Sequence, residues 1–169
     1  AHSGEFLPGG RVVVVATDTG PQAQNIALYD TRTGQNASAL WSRPAVEPHG
    51  AVYGNGTLYV SQGAQGSGGA VLAEYALANW SSARPGLELM HSTSLAGLSS
   101  AHDLTSGPQG SLVLCTAKHV WRFDSLTRST SPYPLATLYA LGNVKGVSFS
   151  GGLAAVVQGG WNELVMLVG

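Results

Sequence analysis

The sequence predicts an all-β fold, a radial array of about four small antiparallel sheets, and three observations predict it. First, one phrase returns three times: a polar residue, a short apolar stretch, a glycine turn and a second apolar run. It is carried by His49-Gly50-Ala51-Val52 leading to 57–60, by His102-Asp103-Leu104-Thr105 leading to 111–116, and by Lys145-Gly146-Val147-Ser148 leading to 153–158, at steps of 53 and 43 residues. One small sheet cannot bury both of its faces alone, so a repeat of this length implies copies stacked on one another. Second, 23 glycines and 8 prolines punctuate the chain, and the segments between them run to five to eight residues rich in Val, Leu, Ala, Thr and Tyr. Such segments bounded by turn residues read as strands. Third, no stretch sustains apolar residues at helical spacing behind a cap, and only 75–79 and 135–141 offer a short helical turn.

The elements follow in order. The opening Ala1-His2-Ser3-Gly4-Glu5-Phe6 reads as a vector remnant and is set aside from the fold. Residues 7–169 then form one blade-repeat domain. The first blade, 11–43, has strands at 11–18, 24–29 and 38–43, with Asp30-Thr31-Arg32-Thr33-Gly34 supplying Asp and Gly where a hairpin needs them. In the second, 49–94, a strand at 51–53 turns through Gly54-Asn55-Gly56 into 57–62, followed by 71–76 and 88–94. The third, 102–141, runs 103–106, 111–117, 120–124 and 136–141. The fourth, 145–168, has 146–149, 153–158 and 163–168.

Two details support this register. Tyr29-Asp30 and Phe123-Asp124 each place an Asp after an aromatic residue at a strand end, where its carboxylate can hydrogen-bond its own turn. The unbroken apolar character of 11–18 and 111–117 suits strands covered on both faces. The glycine-rich stretch 63–69 lacks the Lys-Ser/Thr ending of a phosphate loop and reads as a strand connection; 78–86 and 127–134 read as solvated loops. Tryptophans 41, 80, 121 and 161 recur about every 40 residues, but this register puts them in an outer strand, a loop, a third strand and a turn, so the regularity is coincidence.

With 169 residues and 44% apolar content the chain can bury a substantial core. Its eight basic and nine acidic side chains are scattered. That leaves no electrostatic footprint for a nucleic-acid backbone or an anionic bilayer. The longest apolar run, at 12–16, has strand length and falls far short of a membrane span. The single cysteine, Cys115, lies in an apolar run and is expected to be a small buried hydrophobe. Acceptor patterns for N-glycosylation at Asn36, Asn55 and Asn79 point to an extracellular, secreted glycoprotein.

The blade starts at His49-Gly50, His102-Asp103 and Lys145-Gly146, together with the Tyr29-Asp30-Thr31-Arg32-Thr33-Gly34 hairpin, resemble half of a six-bladed β-propeller, most similar to the group with NHL-type and gluconolactonase-like members. The resemblance covers most of 11–168 through loose motifs. It implies that the first strand of each blade lines a central axis, so that His49, His102 and Lys145 gather near one mouth. About three and a half blades cannot close a ring, and an open array exposes strand edges and an apolar face. The expectation is therefore that the chain is part of a longer one, or that a second copy or a partner chain completes the ring.

Two readings of the mouth stand side by side. In one, each polar residue caps its strand and bonds the neighbouring blade, and the loops around it bind a protein or carbohydrate ligand. In the other, His49 and His102 hold Zn²⁺ or Mn²⁺ with ligands from the rest of the ring. Asp103 or Lys145 would then transfer a proton in a polysaccharide lyase or lactonase-like hydrolase. Asp18 and Glu47, near strand ends, are further candidates for such a site, while His91 and His119 are expected to be exposed.

Overall fold

The computed structural model describes residues 3–16, 25–33, 38–63, 69–95, 97–98, 101–116, 119–132, 144–150, 153–158 and 163–168. They form four antiparallel sheets, each a meander in chain order. The first contains β1 (Ser3–Leu7), β2 (Arg11–Ala16), β3 (Asn25–Asp30) and β4 (Trp41–Pro44). The second contains β5 (Pro48–Gly54), β6 (Thr57–Gln62), β7 (Ala70–Ala78) and β8 (Gly86–Leu95). The third is β9 (Asp103–Ser106), β10 (Leu112–Cys115), β11 (Val120–Asp124) and β12 (Ser129–Pro132); the fourth is β13 (Val144–Ser150), β14 (Leu153–Gln158) and β15 (Glu163–Val168). Single 3₁₀ turns at Thr31–Thr33 and Pro108–Gly110 are the helical elements among the described residues.

The sheets stack as blades. Their first strands lie side by side in sequence, β1 against β5, β5 against β9 and β9 against β13. This is a propeller-like arrangement, and it does not close into a ring.

Alternation along the strands explains how each blade serves two neighbours. On β6, Leu58 and Val60 enter a core shared with Leu7, Val13, Ile26 and Leu28 of the first sheet. Tyr59, on the opposite face of β6, joins a second core with Leu104, Leu112, Leu114 and Phe123 of the third. On β7, Ala73 and Tyr75 belong to the first core, and Ala70 and Leu72 to the second. Because side chains alternate across a strand, a sheet wedged between two others reads as an unbroken apolar run. In the third sheet Val113 and Cys115 alternate with Leu112 and Leu114, so they face the fourth sheet, and both are fully buried. Cys115 is thus the small buried hydrophobe expected of it.

Turn chemistry follows the sequence closely. Asn55 and Gly56 both take positive φ, 52° and 80°, as the tight primed hairpin between β5 and β6 requires. Asp30 Oδ1 accepts the Arg32 N–H (2.9 Å), and Asp124 Oδ1 accepts the N–H groups of Leu126 (2.8 Å) and Thr127 (3.0 Å). The two Asp residues that follow aromatics therefore do bond their own turns.

Three expectations change. Residues 3–6, set aside with the vector remnant, form β1 together with Leu7, in register with β2 from Ser3↔Val15 to Leu7↔Arg11. Gly9 and Gly10, at φ 76° and 71°, supply the hairpin that makes this pairing, and Leu7 enters the first core. The first blade consequently has an innermost strand. The segment 127–134 is not all loop, because β12 pairs with β11 from Trp121↔Pro132 to Asp124↔Ser129. The helical turn offered at 75–79 is overridden by pairing of β7 with both β6 and β8. The strand predicted at 136–141, the helical turn at 135–141 and most of the glycine-rich connection lie outside the described residues.

The second and third blades meet through Gly50. A Cβ at this position would stand 2.7 Å from the Leu104 backbone nitrogen and 3.1 Å from the Asp103 carbonyl carbon. Backbone cannot yield as a flexible side chain can, so Gly50→Ala is expected to lower unfolding stability by about 1–3 kcal/mol in urea titrations. Gly54→Ala, where nothing lies within 4 Å, is the matched control and should change it by much less.

Candidate functional site

The site predicted from the repeats lies where β5, β9 and β13 begin. His49 is the second residue of β5, and His102 immediately precedes β9. Their rings meet edge to face with centroids 5.4 Å apart and planes at 65°. Both are half-buried. The main chain fixes them: His102 N–H donates to the Cys115 carbonyl (2.8 Å), while Gly50 N–H donates to the buried Ser61 Oγ (2.9 Å), tying the start of β5 to the end of β6. The sequence thus brings together two side chains that lie 53 residues apart.

Asp103 is held by backbone donors. Its Oδ1 accepts the Leu104 N–H (2.9 Å), and its Oδ2 accepts the Val147 N–H of the next blade (3.0 Å). Burial pushes its carboxyl above the ordinary carboxylate value, and the two N–H donors partly offset that by favouring the charged form. A matching contact stands at the first blade junction, where Tyr53 N–H donates to Glu5 Oε1 (3.0 Å). In both places a carboxylate on the first strand of one blade holds a backbone donor on the first strand of the next. Glu5 escaped the sequence reading because it fell within the segment set aside; its cue was the hairpin glycines immediately after it.

The remaining candidates separate. Lys145 lies on β13 beside Gly146, but its side chain, like Asp18 and Asn36 as a whole, lies outside the described residues. Glu47 is exposed, takes φ 41°, and packs its side chain against Gly63 just ahead of β5. Among the described residues no group of three or more His, Cys, Asp or Glu side chains is placed to hold a metal ion. A catalytic metal takes three protein ligands and an open position. The described donor set of two imidazoles is one short of that. His91 is exposed on the outer strand β8, and His119 is exposed between β10 and β11 with its ring 6.1 Å from Trp121, both as expected. Among the described residues no helix is long and apolar enough to cross a membrane.

No known family model matches the chain, and no curated protein does. Among solved structures, it is similar to a protein of unknown function from Bacteroides caccae, with a TM-score of 0.57 and 10% sequence identity, over 99% of this chain and 60% of that one. At that identity the likeness concerns the fold alone. The chain spans about 60% of the length of that structure.

Asp103 has a pH signature. Its folded-state pKa is raised above 3.8, so the folded protein holds the proton more tightly than the unfolded chain. Stability from this group is greatest in acid and falls as pH rises through and just above the ordinary carboxylate range. Asp103→Asn removes the titration. The difference in unfolding free energy, wild type minus variant, is therefore expected to decrease with rising pH and then level off, as read from urea titrations between about pH 3 and 7.

Proposed function

We propose that the protein is a propeller-type binding module whose loops at one mouth of the blade array hold a protein or carbohydrate ligand. The observation that carries this reading is the pairing of His49 and His102 at the starts of adjacent blades, beside an Asp103 whose two oxygens are already taken by backbone donors. A carboxylate committed to two N–H groups is a poor proton shuttle, whereas half-buried imidazoles at the blade starts give a ligand a partly exposed aromatic and polar surface to contact. The blade starts support a relationship to the NHL-type and gluconolactonase-like six-bladed propellers. A ring completed by further sheets, from a longer chain, a second copy or a partner, belongs to the same reading. The greater length of the Bacteroides caccae structure is in keeping with it.

Asn55 and Asn79 occupy exposed turns with φ 52° and 50°. Acceptor asparagines so placed are accessible to the glycosylation machinery and support an extracellular location.

The test probes arrays of oligosaccharides and of glycoproteins with the purified chain and with the His49→Ala/His102→Ala double variant, and measures the metal content of both. The module reading expects a ligand captured by the wild type and lost, by about tenfold or more in affinity, in the double variant. Unchanged capture by the double variant overturns it. So does a stoichiometric content of Zn²⁺ or Mn²⁺ that disappears in the variant, which would install the metal-dependent lyase or lactonase reading instead.

A further inference from the structure

A second concave site borders the entry to β5, between the outer strands of the first two sheets. It is a cleft of about 210 Å³ between the end of β4 with the segment leading to β5 on one side and β7 with β8 on the other. Arg43 stands at this cleft with Gln62 and Tyr75, and Val46, Ala73 and Leu89 give it apolar walls. Both Gln62 and Tyr75 are more than nine-tenths buried. Trp41 holds the Tyr75 ring in an edge-to-face contact, centroids 6.4 Å apart, so the phenol is fixed in direction.

Arg43 is the informative residue. Three other arginines have side-chain partners: Arg32 pairs with Asp30, Arg128 with the buried Glu74, and Arg11 lies over the Trp80 ring with its guanidinium carbon 4.5 Å from the centroid. Arg43, like Arg84 and Arg122, forms no ion pair among the described residues, and it lines the cleft beside buried Gln62 and Tyr75. Glu47, the acid nearest to it in sequence, packs instead against Gly63 and does not line the cleft.

We propose that this cleft binds a small monocarboxylate with a compact apolar body. The guanidinium presents a planar fork of donors that matches a carboxylate in two parallel hydrogen bonds. A single cation suits a monoanion better than a phosphate dianion, whose second charge would go unmatched. The Tyr75 hydroxyl and the Gln62 amide, which bond each other, offer neutral polar groups beside the head, and Val46, Ala73 and Leu89 accept the body. The phenol is neutral near physiological pH, and burial shifts its ionisation further upward, so it places no negative charge opposite the ligand. The volume is below the range of sites for drug-sized ligands and fits an occupant of amino-acid size.

The experiment titrates the isotopically labelled chain with 4-methylpentanoate, with its neutral analogue 4-methylpentanamide and with inorganic phosphate, following backbone amide shifts by NMR. The expected result is saturable shifts at Val46, Gln62 and Ser92 with the carboxylate, and binding of the amide weaker by about tenfold or more. Arg43→Gln should reduce carboxylate affinity to the level of the amide, and Arg43→Lys should recover part of the loss. Arg43 is exposed, so neither change threatens the fold. The His49→Ala/His102→Ala variant should bind the carboxylate unchanged, which separates this site from the blade-start reading. Equal affinity for acid and amide, shifts centred elsewhere, no saturation, or phosphate displacing the carboxylate at similar concentration would each overturn the proposal.

Discussion

The close approach of successive first strands is the constraint on which the rest of this architecture depends. At each junction the chain solves the same problem with different chemistry. Between the first and second blades Glu5 accepts the Tyr53 N–H; between the third and fourth Asp103 accepts the Val147 N–H. Between the second and third, Gly50 removes the side chain altogether, so that β5 nearly touches the Leu104 backbone, and Ser61 satisfies the polar groups of Gly50 from within its own sheet. First strands that run beside one another without sharing a hydrogen-bond ladder leave main-chain groups in need of partners, and an unpaired buried N–H costs about 1–3 kcal/mol. Side-chain acceptors at these positions therefore set how near the blades come. They also set how the residues at the blade starts face one another.

Most of the fold was legible because the signals were local. The strands at 103–106, 120–124, 153–158 and 163–168 were read from apolar runs between turn residues and match β9, β11, β14 and β15. The Asp30 and Asp124 turns were read from one side chain and its immediate neighbours. What was missed depended on partners far along the chain. Nothing within Ser3–Leu7 marks it as a strand until it lies against β2, whose apolar residues give it a face to bury Leu7 against. Ser129–Pro132 is polar and exposed, and becomes a strand only because β11 offers an edge. Tertiary pairing overrides local propensity most easily in such short outer strands.

The site was legible to the same depth. Three repeated polar positions were enough to predict that His49 and His102 come together, and they do, at 5.4 Å. Their neighbour Asp103 illustrates what repeat spacing cannot reveal: whether a polar side chain faces an opening or a backbone donor. A carboxylate flanked by a histidine looks like chemistry in one dimension. In three, its two oxygens hold Leu104 and Val147, and the same residue becomes part of the scaffold that places the histidines. The cleft around Arg43 left no trace in sequence, since Arg43, Gln62 and Tyr75 share no motif and meet only because one blade leans on the next.

The two outer blades carry a further argument. The second sheet is covered on both sides, and its inner strands β6 and β7 carry apolar residues on both faces, as that burial requires. Among the described residues the first sheet is covered on one side, yet β2 reads Arg-Val-Val-Val-Val-Ala, the composition of a strand buried twice over. Val13 takes the core side, while Phe6, on the other face and paired with Val12, is 76% exposed. The fourth sheet shows the same asymmetry, with Val156 fully buried and Val157 beside it 48% exposed. Large apolar faces left open to water are unfavourable and promote association. Apolar residues on both faces of an outer sheet suit a second covering layer, and this is the physical ground on which the proposed function includes a completed ring.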